Sequence, residues 1–288
     1  MAAAARLAPA KINLLLHVGP LAADGYHPLA SLVAFADVGD RLTVEASDRL
    51  SLTVAGPFAG ALEAEADNLV LRAVRALGAA AGVGEPGLRI TLDKQLPVAA
   101  GLGGGSSDAG AVLKLARDAL ALPLDDAALA RIAAGLGADG PMCLHARAAW
   151  ASGRGDVLTF EPALPPLPAL LVNPGVPSST GAVYRAFDAA APGLADTPSP
   201  PLDWSAPGVV TWLRGGRNDL EGPAVALQPL IGEALAAVAA LAGVRLTRMS
   251  GSGATIFALF DTAGAAAAAG QALAALRPDW WIRPTTLR

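Results

Sequence analysis

The chain holds one cysteine, Cys143, in 288 residues, so no disulfide forms within it. That thiol sits among apolar residues and reads as a small core filler in a reducing compartment. Charge is scarce too. Only 16% of residues are charged, and 21 Lys and Arg against 25 Asp and Glu leave a net charge of −4. There is no basic excess to point to nucleic acid or an anionic membrane. Long apolar runs are missing: no stretch of ~20 uncharged apolar residues reads as a spanning helix. Arg6, Pro9 and Lys11 interrupt the apolar start that a secretory signal needs. No repeat of fixed period appears, nor any His, Cys and Asp cluster with metal-ligand spacing. The expectation is a cytoplasmic, soluble protein. The Ala-rich helices suit solvent and a second subunit equally, so the sequence carries no oligomeric signature.

What is present is a large apolar fraction, 53%, enough for a substantial core. Residues 11–19 (KINLLLHVG) read as a strand, and Asp24-Gly25 centres a turn. Residues 31–46 predict two strand runs and 67–80 a capped helix. Strand alternation over 87–97 is followed by helices at 107–120 and 125–137. A hairpin is expected before the proline-dense connection at 162–168. Beyond it come a strand (ALLVNP), a short helix (TGAVYRAFDAA) and a long loop over 192–208. A helix at 224–242, the strands RLTRMS and ATIFALF, an Ala helix at 262–276 and a strand near WWIRP complete the chain. This order predicts an α+β protein of two domains, 1–153 and 154–288.

The densest signal is GLGGGSS, from Gly101 to Ser107, at a strand-to-helix junction. Glycine lets the backbone approach a ligand closely. A helix N-terminus offers unpaired N–H groups and a partial positive charge. Together they make an anion cradle, most often for phosphate, and Ser106 and Ser107 add hydroxyls. Two common phosphate loops are excluded: no lysine follows the glycines as in a P-loop, and Ser106 stands where the dinucleotide fingerprint needs its last glycine. Asp108 conflicts with a nearby phosphate unless it turns away or holds a metal.

Three segments, PAKINLLLHVG, LPVAAGLGGGSSDAGAVL and MSGSGATIFALF, resemble the GHMP kinase superfamily, named for galacto-, homoserine, mevalonate and phosphomevalonate kinases. A narrower likeness rests on PAKINLLLHV, on DGYHPLASL, on GLGGGSSDA, on GAD before Pro141 and on RNDLE (217–221). It is to the branch that phosphorylates the 2-hydroxyl of a methylerythritol carrying cytidine diphosphate, in non-mevalonate isoprenoid precursor synthesis. The resemblance spans nearly the whole chain. It implies an N-terminal domain like ribosomal protein S5 domain 2, a ferredoxin-like C-terminal domain, and direct attack of a substrate hydroxyl on the γ-phosphoryl of ATP.

The resemblance also implies the site. Lys11 and Asp139 match the family's catalytic positions, as stabilising cation and as base or orienting group. Pro97, Gly101, Leu102, Gly103, Gly104, Gly105, Ser106 and Ser107 match the ATP phosphate loop, and Asn68 and Lys94 match nucleotide contacts. Asn13, Tyr26, His27, Asp139, Thr180, Tyr184, Gly251 and Ser252 match substrate positions, with Tyr26, His27 and Tyr184 at the cytosine end. Mg²⁺ is expected to arrive with ATP, and Ser107 is the candidate for any direct contact with it. The residues by themselves permit plainer readings: Asn68 as a helix cap, Asp139 as a turn residue, the two tyrosines as core rings, and GSG as a hairpin turn. His17 reads as structural. Lys11 and Asn13 share one polar strand face, which a plain core strand would not need. Gly140 and Met142, where relatives often have Val and Phe, suggest a looser loop beside Asp139. Another GHMP kinase is the nearest alternative, and a nucleotide-binding protein without catalysis the next. The DGYH segment and Tyr184 argue against the first, and retention of Lys11 and Asp139 against the second.

Overall fold

A computed structural model describes residues 4–62, 68–190 and 193–288. In chain order the elements are β1 (Ala4–Val18), β2 (Leu29–Ala46), β3 (Ser51–Ala55), α1 (Leu69–Ala81), β4 (Leu88–Asp93), α2 (Gly104–Ala119), α3 (Asp126–Leu136), α4 (Gly140–His145), β5 (Ala149–Ser152), β6 (Val157–Phe160), β7 (Leu167–Asn173), α5 (Thr180–Ala189), α6 (Ala206–Leu213), α7 (Glu221–Leu227), α8 (Pro229–Ala239), β8 (Leu246–Met249), β9 (Ile256–Leu259), α9 (Ala263–Leu276) and β10 (Trp281–Leu287).

The chain forms two compact units, and neither is continuous in sequence. The first takes residues 1–10, 38–98 and 103–146; the second takes 11–37, 99–102 and 147–288. β1 and β2 therefore each contribute to both, and the division passes between Leu102 and Gly103.

In the first unit β4 pairs antiparallel with the end of β2, from Arg41↔Asp93 to Ala46↔Leu88, and parallel with β3. Helices α1 to α4 pack with one another. Leu42, Ile90 and Leu92 of the strands meet Leu77 of α1 and Val112 and Leu113 of α2 in the core. Asn68 caps α1: its side chain accepts from the Val70 N–H at 2.9 Å. The predicted cap pair began at Asp67, which lies outside the described residues.

In the second unit β7 pairs antiparallel with β10 and β9, and β9 with β8. The sheet order β10-β7-β9-β8, with α8 between β7 and β8 and α9 between β9 and β10, is the ferredoxin-like arrangement expected. Leu170, Val172 and Ile256 pack against Val238 of α8 and Leu273 of α9. The predicted hairpin is β5-β6, and β5 also pairs with the start of β2 through Ser31↔Ala151.

Four expectations need correction. Residues 31–46 form one strand, not two, because Gly39 does not turn the chain. A β-carbon there would meet the Ala8 carbonyl oxygen at 2.1 Å, so glycine serves close backbone approach. Helix α2 starts at Gly104, three residues early, so the last two glycines belong to its first turn. The predicted helix 224–242 is two helices, broken at Gln228 where Pro229 opens α8. The loop over 192–208, whose Pro192 is not described, ends early at α6, capped by Ser205.

Candidate functional site

The glycine-rich stretch leads directly into the N-terminus of α2. Gly103, with φ +61°, is the N-cap of α2 and supplies no side-chain cap bond. The first turn, Gly104 to Ser107, thus begins with N–H groups for which the cap has no acceptor side chain. Gly105 is exposed, and Pro97, Gly103, Gly104 and Ser106 are half-buried. Ser107 is buried, and its Oγ has no hydrogen-bond partner.

Asp108 turns away from this surface. Its Oδ2 accepts from the buried Lys94 ammonium at 2.8 Å, and Asp40 Oδ2 accepts from the same ammonium at 2.6 Å. Asp40 Oδ1 also accepts from the backbone N–H groups of Gln95 and Leu96, at 2.7 and 2.8 Å. The cluster lies beneath the helix start, since a β-carbon on Gly104 would sit 3.2 Å from Lys94 Nζ. Burial pushes the Asp108 carboxyl up to about 7, against the pull of Lys94. Burial by itself would lower Lys94, but Asp108 and Asp40 outweigh it and raise it. Asp40 was missed by sequence reasoning. β2 carries three acids, Asp37, Asp40 and Glu45, and nothing local sets Asp40 apart from the other two.

Asp139 is half-buried at the N-cap of α4 and makes no side-chain cap bond there. Its neighbours are closely packed. Gly140 is buried against the Ala133 carbonyl oxygen, 2.1 Å from where a β-carbon would stand, and Met142 is buried in α4. Cys143 fills the core as expected, with Sγ 3.8 Å from the Gly103 carbonyl oxygen.

In the second unit, Lys11 and Asn13 are both buried on β1. Lys11 Nζ donates to Asn13 Oδ1 at 2.9 Å, and the Lys11 N–H donates to the Leu102 carbonyl at 2.8 Å. The hairpin turn between β8 and β9 meets the early glycines. The Thr255 N–H donates to the Ala100 carbonyl, and Ser250 Oγ donates to the Gly101 carbonyl at 3.0 Å while accepting from the Asn13 N–H at 3.1 Å. Gly251 touches the same group: a β-carbon on it would be 3.2 Å from the Gly101 carbonyl oxygen and 3.3 Å from Asn13 Oδ1. GSG is thus a hairpin turn and also a wall of this region. Ser252 Oγ and Thr180 Oγ1 are 2.9 Å apart.

The RNDLE segment clamps this assembly. Asn218 Nδ2 donates to the Met249 and Gly251 carbonyls, each at 2.8 Å. Asp219 accepts from the Val18 N–H, and Glu221 accepts from the Met249 N–H. Sequence reasoning marked the motif without giving it a task.

The aromatic residues divide. The His27 ring lies 4.8 Å from that of Tyr184, with Nδ1 2.9 Å from the Gly19 carbonyl oxygen and Nε2 3.5 Å from Asp188 Oδ1. Tyr184 is half-buried, packed on Leu16, Val183 and Phe187. Tyr26 is exposed, with the Arg154 guanidinium 4.0 Å above its ring. His17 is buried, with Nδ1 2.7 Å from the Asp196 carbonyl oxygen. Among the described residues, no cluster of three His, Cys, Asp or Glu is placed to hold a metal, and no helix is long and apolar enough to cross a membrane.

Known proteins resemble the chain along its whole length. Residues 68–147 match the GHMP kinases N terminal domain and residues 212–278 the GHMP kinases C terminal domain. A protein of Caulobacter vibrioides named 4-diphosphocytidyl-2-C-methyl-D-erythritol kinase is 52% identical over 96% of each chain. One of the same name from Methylobacterium radiotolerans is 51% identical over 98% of each. The crystal structure of a 4-(cytidine 5'-diphospho)-2C-methyl-D-erythritol kinase, 38% identical, superposes over 99% of each chain with a TM-score of 0.80. The chain has the two-domain GHMP kinase fold and belongs to the 4-diphosphocytidyl-2-C-methyl-D-erythritol kinase family.

Proposed function

We propose that this chain transfers the γ-phosphoryl group of ATP to the 2-hydroxyl of 4-diphosphocytidyl-2-C-methyl-D-erythritol. The observation that carries phosphoryl transfer is the uncapped start of α2, a 16-residue helix opening on Gly103 and Gly104. The names of relatives half identical over the full length supply the alcohol.

Residues 1–153 provide the ATP phosphate loop, and 154–288 complete the kinase. Pro97 and Gly101 through Ser107 form the phosphate cradle. Asn68 and Lys94, expected as direct nucleotide contacts, instead have a supporting role, because Asn68 caps α1 and the buried Lys94 is held by Asp40 and Asp108 at the start of α2. Lys11 offsets the negative charge of the transferred group, and Asp139 takes or orients the hydroxyl proton. Tyr26, His27 and Tyr184 receive the cytosine end, and Asn13, Thr180, Gly251 and Ser252 line the substrate path. Mg²⁺ neutralises the β- and γ-phosphates when it arrives with ATP. The orphaned, buried Ser107 hydroxyl at the helix start fits a contact with that complex.

The test is ADP release measured with a panel of alcohols. Release is expected with the cytidine diphosphate of methylerythritol and not with mevalonate, homoserine or galactose. Release with one of those instead would move the chain to another GHMP activity. Nucleotide binding without release for any alcohol would leave a binding protein.

A further inference from the structure

Asn13 holds Lys11 through its Oδ1, and that leaves the question of what holds Asn13. An asparagine amide has two chemically different ends, and a half-turn about its last bond swaps them. In the swapped state an NH₂ group would face the Lys11 ammonium, donor against donor. The Lys11–Asn13 bond at 2.9 Å therefore exists only if something fixes the amide.

Ser31 is in place to do so. Asn13 Nδ2 donates to Ser31 Oγ at 2.8 Å. Ser31 Oγ donates in turn to the Leu15 carbonyl at 2.6 Å. The hydroxyl has one proton, and it is committed to the carbonyl. Toward Asn13 the oxygen is then an acceptor only, so it faces the NH₂ and turns Oδ1 to Lys11. Each group in this line is buried, and Ser31 has no exposed surface. β5 covers this stretch of β2 through the pair Ser31↔Ala151. In such surroundings an unmet donor is costly, which makes the polarity of the line strict.

We propose that Ser31 is a positioning residue for the phosphoryl transfer, setting the orientation of the Lys11 ammonium through the Asn13 amide. This rests on the assignment of Lys11 as the cation that meets the transferred group. It also gives Asn13 a task beyond substrate contact, since both ends of its amide are engaged within the protein.

The experiment compares Ser31→Ala, Ser31→Thr and Lys11→Ala with the parent, reading kcat, both KM values and thermal stability. Ser31→Ala is expected to lower kcat about tenfold or more, in keeping with one buried hydrogen bond behind a reacting group, with both KM values within about twofold. Ser31→Thr keeps the hydroxyl and is expected to restore kcat. In a Lys11→Ala background, Ser31→Ala should lower kcat no further, because residues acting through one group are not additive. Parent-like kcat in Ser31→Ala overturns the proposal, as does an equal loss in the Lys11→Ala background, which would mark a packing role. Should Ser31→Ala fail to fold, Ser31→Cys carries the same comparison, since a thiol fills nearly the same space but is a weak acceptor toward the Asn13 amide, and parent-like kcat in it overturns the proposal equally. Parent-like kcat in Lys11→Ala would instead sink the assignment of Lys11 itself.

Discussion

Gly101 lies so close to Ser250 that a β-carbon on it would fall 2.3 Å from the Ser250 carbonyl oxygen. Its φ is +74°, so an L side chain would be strained even with room to spare. Position 101 therefore carries two independent demands for glycine, one from its own dihedral and one from the turn beside it. Gly101→Ala is expected to cost about 2 kcal/mol or more of stability and to shift the Ala100–Leu102 backbone. Urea denaturation of the variant checks the first, and the KM for ATP checks the second. A variant as stable as the parent, with an unchanged KM, would show that this contact is not held in solution.

Tyr184→Ala is expected to weaken the cytidine-bearing substrate, raising its KM by roughly fivefold to a hundredfold, the range for losing one base-stacking ring. The KM for ATP should stay as it is. Because Tyr184 also packs on Leu16 and Phe187, Tyr184→Phe is the control that keeps ring and packing. An unchanged substrate KM in Tyr184→Ala would leave the His27–Tyr184 pair as a structural contact only.

How much of this was legible beforehand differs by residue. Elements whose signal is local were read well: the capped α3, the β5-β6 hairpin and the β8-β9 turn each carry their own turn or cap chemistry. The single strand over 31–46 was not legible, because what keeps it continuous at Gly39 is a close approach to a backbone 31 residues earlier. The glycines of α2 misled, since propensity argues against the helix that packing extends to Gly104. In the site, motif residues such as Lys11 and Asn13 stood out in the sequence. Ser31 and Asp40 did not, because an ordinary serine or aspartate gains its role from partners 18 and 54 residues away.

Asp139→Ala is expected to reduce kcat by at least about a hundredfold, the usual scale for removing a group that handles the reacting proton. The turn itself should persist, since it is set by the packing of Gly140 on Ala133. ADP release and circular dichroism on the same preparation separate the two effects. Asp139→Asn refines the answer. It retains a similar shape but not the basicity, so a loss as deep as in Asp139→Ala marks a base, and a shallow loss marks an orienting group. Turnover near that of the parent in Asp139→Ala would remove the residue from the reaction.

Asp108 gives a pH dependence whose sign follows from its surroundings. Asp40 accepts from Lys94 and from two backbone N–H groups, whereas Asp108 accepts from Lys94 alone and its Oδ1 is buried without a partner. Burial drives the Asp108 carboxyl toward the neutral form, to about 7 against the 3.8 of an ordinary aspartate. The folded protein thus keeps a proton that the unfolded chain releases earlier. Between about 4 and about 7, folding takes up that proton, and this group's contribution to stability falls as pH rises. It is complete below the unfolded value and gone above the folded one. Asp108→Asn cannot titrate, so the stability of the parent minus that of the variant should decline across this window, as urea denaturation at a series of pH values would measure. A difference that stays flat would mean that Lys94 keeps Asp108 ionised throughout.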